Sequence, residues 1–184
     1  MSKFKIPSRE EVSLKNQEIF DQLQNKLGFV PNLYAYFAKS DAALGDFLNF
    51  QSRKSTLSAR EKEAINLITS QLNACTYCLS AHTVLAKMNG FTEQEILGIR
   101  NGEALFDKKL NALVKLSSSI VLNRGKVSEE AKFAFFDADY SEANLIDVAI
   151  TVGEKSISNY IHNLADFEID FPLAQELASE VLHH

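Results

Sequence analysis

The sequence predicts an all-α protein, a multi-helix bundle that forms a single domain over residues 1–184. Seven glycines and three prolines in 184 residues leave few places where a helix must end. Apolar residues recur at spacings of three and four rather than in alternation, which is the pattern of amphipathic helices. A chain of this length builds one full-sized hydrophobic core, so one domain is expected.

The first three predicted helices follow from apolar stripes and one stop signal. Residues 8–27 carry a stripe of leucine, isoleucine and phenylalanine, and Gly28 followed by Pro31 ends that helix. Residues 32–39 and 41–53 carry aromatic and leucine side chains at i, i+3 and i+4, so each is predicted to form a helix.

Capping signals delimit the rest of the chain. Ser58-Ala59-Arg60-Glu61 is a capping box, which starts a helix over residues 58–73. Asn73 is positioned to cap the next helix, which ends at Asn89. A second capping box, Thr92-Glu93-Gln94-Glu95, starts a short helix that stops near residue 101. The remaining helices are predicted for residues 106–124, 128–138, 142–166 and 172–182.

Composition narrows the classes of partner. The formal net charge is −5, and no cluster of lysine and arginine is dense enough to follow a phosphate backbone, so no nucleic-acid partner is expected. No apolar run approaches the roughly 20 residues that span a bilayer. The N-terminus also lacks the apolar segment of a secretory signal. We therefore expect a protein of the cytoplasm that has no membrane partner.

The only two cysteines, Cys75 and Cys78, form a C-x-x-C at the start of a core helix, with His82 four residues later. Thiols at i and i+3 lie on adjacent turns, close enough to form a disulfide. On a helical wheel both thiols and the imidazole share the apolar, inward face. Cys75 lies in the first turn, where the helix dipole favours a thiolate, whereas Cys78 is nearer the histidine, so which cysteine attacks is open. The pattern predicts a thiol redox site with neither cofactor nor metal.

Glu63 is a further candidate for this site. If the chain folds back near Asn73-Ala74, Glu63 and His82 come to similar depths in an antiparallel helix pair. The carboxylate would then fix the tautomer of the imidazole and raise its basicity. On the wheel, however, Glu63 lies on the flank of its helix beside charged neighbours, and this position favours a solvated surface glutamate.

Three other groups are assigned no catalytic role. Tyr77 points away from the face that carries the thiols, which favours packing. His162 lies on an apolar late helix, where core or interface packing is also the better interpretation. The terminal pair, His183 and His184, is left out of the site.

The spacing of these residues resembles a family signature. Glu63, eleven residues, Cys75-Thr76-Tyr77-Cys78, three residues and His82 are similar to the motif of alkylhydroperoxidase D-like proteins, within the carboxymuconolactone decarboxylase superfamily. The core of the resemblance covers about residues 58–125. Residues 27–32 and 165–172 are also similar to the longer, peroxidase-related branch.

This resemblance implies an all-helical fold, homo-oligomers and thiol-dependent peroxidase activity. It also implies that Cys75 and Cys78 cycle between dithiol and disulfide and that Glu63 and His82 form a proton relay, which replaces the surface interpretation of Glu63. Two departures stand out: the best-studied branch has a second histidine at the position of Tyr77, and relatives often read Asn-His where this chain reads His162-Asn163.

The sequence thus predicts an alkylhydroperoxidase-like oxidoreductase whose partners are a hydroperoxide and a dithiol reductant. One alternative is a structural zinc site of Cys75, Cys78, His82 and a fourth ligand, which the lack of a second C-x-x-C weakens. Another is a lactone decarboxylase-like lyase, which would need no cysteine pair. A third is a helical binding protein without catalysis.

The helix predicted over residues 142–166 carries apolar side chains on more than one side. Such a helix is central in the core or covered by another subunit. Together with the resemblance, this distribution predicts a symmetric homo-oligomer, with a hexamer as the first guess.

Overall fold

The computed structural model describes residues 4–177, and within them the regular structure is helical throughout, which confirms the predicted all-α fold class. A short 3-10 helix at Arg9–Glu11 precedes nine α-helices in this described part of the chain. They are α1 (Leu14–Leu27), α2 (Asn32–Phe37), α3 (Ala43–Gln51), α4 (Ala59–Leu72), α5 (Thr76–Met88), α6 (Glu93–Arg100), α7 (Lys108–Leu122), α8 (Glu129–Asp137) and α9 (Glu142–Ala165). None of these helices is both long and apolar enough to cross a bilayer.

The first predicted helix begins too early. Residues 8–13 contain two successive N-cap serines, Ser8 and Ser13, where the prediction assumed a single helix start. Ser8 and Glu11 cap the single 3-10 turn, and the side chain of Ser13 then accepts a hydrogen bond from the backbone N–H of Asn16 at the start of α1. Because each serine offers the backbone a local partner, the chain makes a short turn and begins the long helix only at residue 14.

The last predicted helix, over residues 172–182, is wrong for residues 172–177, and residues 178–182 lie outside the described part. The backbone of this segment bonds to side chains of other helices. The N–H of Ala174 donates to Ser80 Oγ at 3.1 Å, and Arg100 donates to the carbonyl of Gln175 at 2.7 Å. These long-range partners take the place of the intrahelical bonds that the sequence pattern led us to expect.

The described chain divides into two compact units. The smaller consists of residues 4–54 and 161–170, and the larger of residues 55–160 and 171–177. The single domain over residues 1–184 therefore stays a prediction.

The smaller unit contains α1, α2 and α3. The buried amide of Asn16 on α1 donates to the carbonyls of Ala38 and Ser40, at 3.0 and 3.1 Å, and so ties α1 to the end of α2. The rings of Phe37 and Phe47 stack at 4.5 Å between centroids. A fully buried polar residue with both donor bonds satisfied fixes the packing of these helices more specifically than apolar contact alone.

The larger unit is built around α4. Every residue from 64 to 70 is buried, so this helix is covered on all sides, as expected for a central core helix. α5, α6 and α7 pack on it, and valines of α9 complete the core. A helix held this firmly is a rigid support for Glu63 near its start and for the turn at its end.

We predict that Phe135→Ala destabilises the protein by about 3–5 kcal/mol, because it empties a core position. The Phe135 ring is fully buried and stacks on Tyr140 at 4.4 Å between centroids. Phe133→Ala, on the same helix, is the matched control: its side chain is 72% exposed, so its loss should change stability by about 0.5 kcal/mol or less. Urea unfolding of both variants is the measurement, and equal losses would contradict this account of the core.

Candidate active site

The site begins at a sharp corner between α4 and α5. Ala74 has a φ of 51°, in the left-handed region that a non-glycine residue rarely adopts. The N–H of Ala74 bonds to the carbonyl of Gln71 at 3.1 Å, and the N–H of Cys75 bonds to that of Ser70 at 3.0 Å. These two bonds form a Schellman motif, which satisfies the last carbonyls of α4 and turns the chain back on itself.

Cys75 is the N-cap of α5, with an extended backbone and a sulfur that accepts a hydrogen bond from the N–H of Cys78 at 3.4 Å. The expectation that Asn73 caps this helix is wrong: Asn73 is the C-cap of α4. The reason is the left-handed residue between them, since the Schellman turn uses Asn73 and Ala74 to close one helix before the next can open. The sulfur of Cys75 therefore lies at the positive end of the α5 dipole.

Both cysteines are free thiols and both are buried, as is His82. Their shared inward face was expected from the helical wheel, and their common burial agrees with it. Cys78 is one turn of α5 from His82, so both side chains project from neighbouring positions of one helix face.

Glu63 lies against His82. Its Oε2 atom is 2.7 Å from Nδ1 of the imidazole, and its side chain is only 12% exposed. The wheel-based interpretation of a solvated glutamate is therefore wrong, because α5 folds back over the flank of α4 and covers it. With the carboxylate ionised, Nδ1–H donates to Glu63, which leaves Nε2 as the ring nitrogen available for proton exchange.

The charge on Glu63 is maintained in spite of burial. Burial raises the pKa of this carboxyl, but the charge and hydrogen bond of His82 outweigh it, with further help from Lys155 and from the Asn66 amide at 3.4 Å. The net pKa lies below that of an ordinary glutamate. The ionised carboxylate therefore remains the hydrogen-bond acceptor for Nδ1–H of His82.

The two thiols differ in acidity. The Cys75 thiol donates a hydrogen bond to the Cys78 sulfur, and this contact is the main reason why the pKa of Cys78 falls to about 5. Burial opposes the fall, whereas the charges of Lys155 and His82 and a hydrogen bond from Asn159 support it. The same hydrogen bond, with burial, raises the pKa of Cys75 well above its ordinary range. The arrangement thus favours a thiolate at Cys78 beside a neutral thiol at Cys75.

Sequence reasoning missed two side chains of α9 that belong to this site. Asn159 is fully buried; its amide donates to Ser70 Oγ at 3.1 Å and its Oδ1 accepts from Asn73 at 3.0 Å. Lys155, one turn earlier on the same face, is also buried. A signal was present in the sequence, because polar residues recur every four positions along one side of this helix, at 147, 151, 155 and 159.

Tyr77 and His162 are packed away from solvent. The Tyr77 ring meets the Phe171 ring edge-on at 5.6 Å between centroids. His162, in the smaller unit, donates from Nε2 to the carbonyl of Phe167 at 3.1 Å. His183 and His184 lie outside the described residues.

Residues 4–177 contain no group of three or more histidine, cysteine, aspartate or glutamate side chains arranged to hold a metal ion. The zinc hypothesis, which required Cys75, Cys78, His82 and a fourth ligand, therefore finds no ligand set in this part of the chain.

Comparisons of the sequence with known proteins find one matching family model and one curated relative. The carboxymuconolactone decarboxylase family model matches residues 37–116, which include Glu63 and the C-x-x-C helix. The uncharacterized protein YdfG of Bacillus subtilis strain 168 is 25% identical over 112 residues, which cover 60% of this chain and 76% of that protein.

Two solved structures share the fold. A peroxidase-related protein with an alkylhydroperoxidase AhpD core, from Ralstonia eutropha JMP134, superposes with a TM-score of 0.83 at 19% identity, over 92% of each chain. The debrominase Bmp8, as a cysteine-to-alanine variant in complex with 2,3,4-tribromopyrrole, superposes with a TM-score of 0.75 at 16% identity, over 92% of each chain. The fold of this chain is therefore that of the alkylhydroperoxidase D-like, peroxidase-related structures, and its residues 37–116 are similar to the carboxymuconolactone decarboxylase family.

Proposed function

We propose that this protein is a thiol-dependent peroxidase-type oxidoreductase that reduces a hydroperoxide at Cys78 and is regenerated by an external dithiol. The observation that carries the proposal is the pair of free thiols at the N-terminus of α5, one turn from an imidazole that is hydrogen-bonded to Glu63 at 2.7 Å. A nucleophile, a proton-transfer group and an orienting acid are the parts that covalent thiol catalysis requires.

In the first step the Cys78 thiolate attacks the terminal oxygen of the hydroperoxide, ROOH. An S–O bond forms and the O–O bond breaks, so that the sulfur is oxidised and the peroxide is reduced. The departing alkoxide takes a proton from Nε2 of His82 and leaves as the alcohol ROH. Glu63 stabilises the imidazolium before this transfer and holds the neutral ring in position afterwards.

In the second step the Cys75 thiol resolves the sulfenic acid. Its proton passes to the neutral imidazole, its sulfur attacks the sulfur of Cys78, and hydroxide leaves as water by taking a proton from His82. The product is an intramolecular disulfide, which the external dithiol then reduces by thiol–disulfide exchange. The position of the two cysteines suits this bond, because the hydrogen bond between the two thiols already holds their sulfurs against each other.

A cycle of this kind works in a compartment that keeps dithiols reduced, and we propose the cytoplasm on this ground.

A homo-oligomer is also proposed, with a hexamer as the first guess. Its support is the outer face of α9 within the larger unit, where Ile146, Ile157 and Tyr160 are exposed on one stripe with Gly153 between them. A Cβ placed on Gly153 would meet no described atom within 4 Å, so the backbone of a second helix could approach closely there.

One equivalent of cumene hydroperoxide should convert the reduced protein to an intramolecular Cys75–Cys78 disulfide. Both titratable thiols should disappear, and the mass should fall by that of two hydrogen atoms. The control is Cys75→Ser, which should stop at a sulfenic acid on Cys78 that dimedone traps. Wild-type protein that keeps both thiols, or whose Cys78 goes straight to sulfinic acid, would show that Cys75 does not resolve.

His82→Ala should slow peroxide reduction by about 10²-fold, and Glu63→Gln should act in the same direction more weakly. The double variant should be no slower than His82→Ala, because both residues belong to one relay. In the wild type the Cys78 thiolate persists until the pH falls to about 5; losing the imidazolium raises this pKa, so alkylation of Cys78 should begin at higher pH in His82→Ala. Glu130→Gln, an exposed glutamate of α8, is the control and should match the wild type. Additive losses would remove Glu63 from the relay.

Sedimentation velocity should show the wild type as a multiple of the 20.6 kDa chain, and Ile157→Glu should shift it towards the monomer. The substitution places a charge in the middle of the exposed stripe of α9, where a partner helix would have to desolvate it. Leu122→Glu, at an exposed apolar position of α7, is the matched control and should leave the assembly intact. A wild-type monomer at micromolar concentration would refute the oligomer.

A further inference from the structure

Lys155 is buried in a way that demands a partner charge. Lys155 is only 3% exposed, and it is the one lysine among the buried residues in the described part of the chain. Lysine is almost never fully buried unless its charge is compensated, because moving an ammonium out of water costs several kcal/mol. Negatively charged groups near Lys155 are therefore expected to compensate its charge.

Hydrogen bonds fix the face of α9 that carries Lys155. Two turns before it, the carboxylate of Asp147 accepts from the backbone N–H and the hydroxyl of Thr56, at 2.6 and 2.8 Å. One turn after it, Asn159 bonds to Ser70 and Asn73 at the end of α4. Lys155 lies between these anchors and about 6 Å along the axis from Asn159, so its register against α4 and α5 is set from both sides.

The charge of Lys155 acts on two groups of the redox site, the Glu63 carboxylate of α4 and Cys78 of α5. Glu63 is in turn bonded to His82 and to the Asn66 amide, and Cys78 is bonded to Cys75. The positive charge of Lys155 lowers the pKa of both Glu63 and Cys78. Asp147, on its own helix, is about 12 Å away along the axis and is already bonded to Thr56.

The Lys155 ammonium balances the net charge of the buried site both before and after peroxide is reduced. With Cys78 as thiolate and His82 as imidazolium, the two anions Cys78 and Glu63 are balanced by the two cations His82 and Lys155. After peroxide has been reduced, Cys78 and His82 are both neutral, and the positive charge of Lys155 still balances the negative charge of Glu63. The buried site therefore has no net charge before or after the step, which a low-dielectric interior favours strongly. Without Lys155, each of these states would carry one uncompensated negative charge.

We propose that Lys155 is a positioning residue of the redox site, a fixed buried cation that holds Cys78 as a thiolate while His82 gains and loses its proton. Its part in peroxide turnover rests on the proposed function. Its effect on the thiolate does not, because that effect is present in the resting protein.

The test uses the Cys75→Ser background, in which Cys78 is the single thiol and the serine hydroxyl still offers it a donor. Thiolate absorbance near 240 nm is followed as a function of pH. Adding Lys155→Met, which keeps the length of the side chain and removes its charge, should raise the midpoint by at least about one pH unit, a tenfold loss of thiolate on the acidic side. Lys155→Arg, which keeps the positive charge, should bring the midpoint most of the way back to that of the Cys75→Ser background. Lys108→Met, a substitution at a lysine whose side chain is 89% exposed, should leave the midpoint unchanged.

A folded Lys155→Met protein, by circular dichroism and thermal unfolding, that titrates like its background would overturn the proposal. If that variant does not fold, the wild-type ammonium is observed directly. The Lys155 Cε resonance, assigned by comparison with Lys155→Arg, should move with pH at the same midpoint as the Cys78 thiolate. A resonance that does not respond to this titration would equally overturn the proposal.

The reaction of the protein that keeps both cysteines with peroxide distinguishes the role of Lys155 from the proposed peroxidase function. Lys155→Met should react at least about tenfold more slowly near neutral pH and should approach the wild-type rate as the pH rises and the thiolate reforms. A wild type that is inert to peroxide would refute the proposed function, yet the titration would still decide the role of Lys155.

Discussion

The corner at Asn73, Ala74 and Cys75 is the constraint on which the site depends. If α4 and α5 were one continuous helix, Glu63 would lie about 18 Å along the axis from Cys75, far from any contact. The left-handed conformation of Ala74 costs on the order of 1 kcal/mol for a residue with a Cβ, and the Schellman bonds to Ser70 and Gln71 offset that cost. The same turn makes Cys75 the N-cap of α5, so one local distortion brings the acid to the imidazole and the sulfur to the helix dipole.

The second feature is the balance of charge in a buried space. A buried carboxylate, imidazole, thiol pair and lysine would each be unfavourable alone, and a buried ion pair is weak evidence for stability. Together they satisfy one another: Glu63 is bonded to His82 at 2.7 Å, and the Cys78 sulfur accepts from its neighbouring thiol. Such an arrangement is better explained by chemistry than by stability, because strongly shifted pKa values concentrate where protons are transferred.

The fold by itself does not assign the activity. Proteins of this fold carry names as different as peroxidase-related protein and debrominase, at identities of 19% and 16% to this chain. A shared scaffold supports different reactions according to the side chains placed on it. Thiol chemistry is therefore supported by the two cysteines, by the pair of Glu63 and His82, and by the side chains that α9 places beside them.

The sequence alone determined what depends on neighbours along the chain. Capping boxes at Ser58 and Thr92 located two helix starts, and the i, i+3, i+7 spacing put Cys75, Cys78 and His82 on one face. Only the tertiary structure decided which flank of α4 is covered, and hence that Glu63 is buried against His82. The same holds for α9, whose Lys155 and Asn159 reach the site through contacts with residues more than 70 positions earlier, and for residues 172–177, whose backbone bonds to other helices instead of to itself. A helical wheel describes the faces of one helix; what lies opposite each face is fixed by long-range packing, which no local pattern encodes.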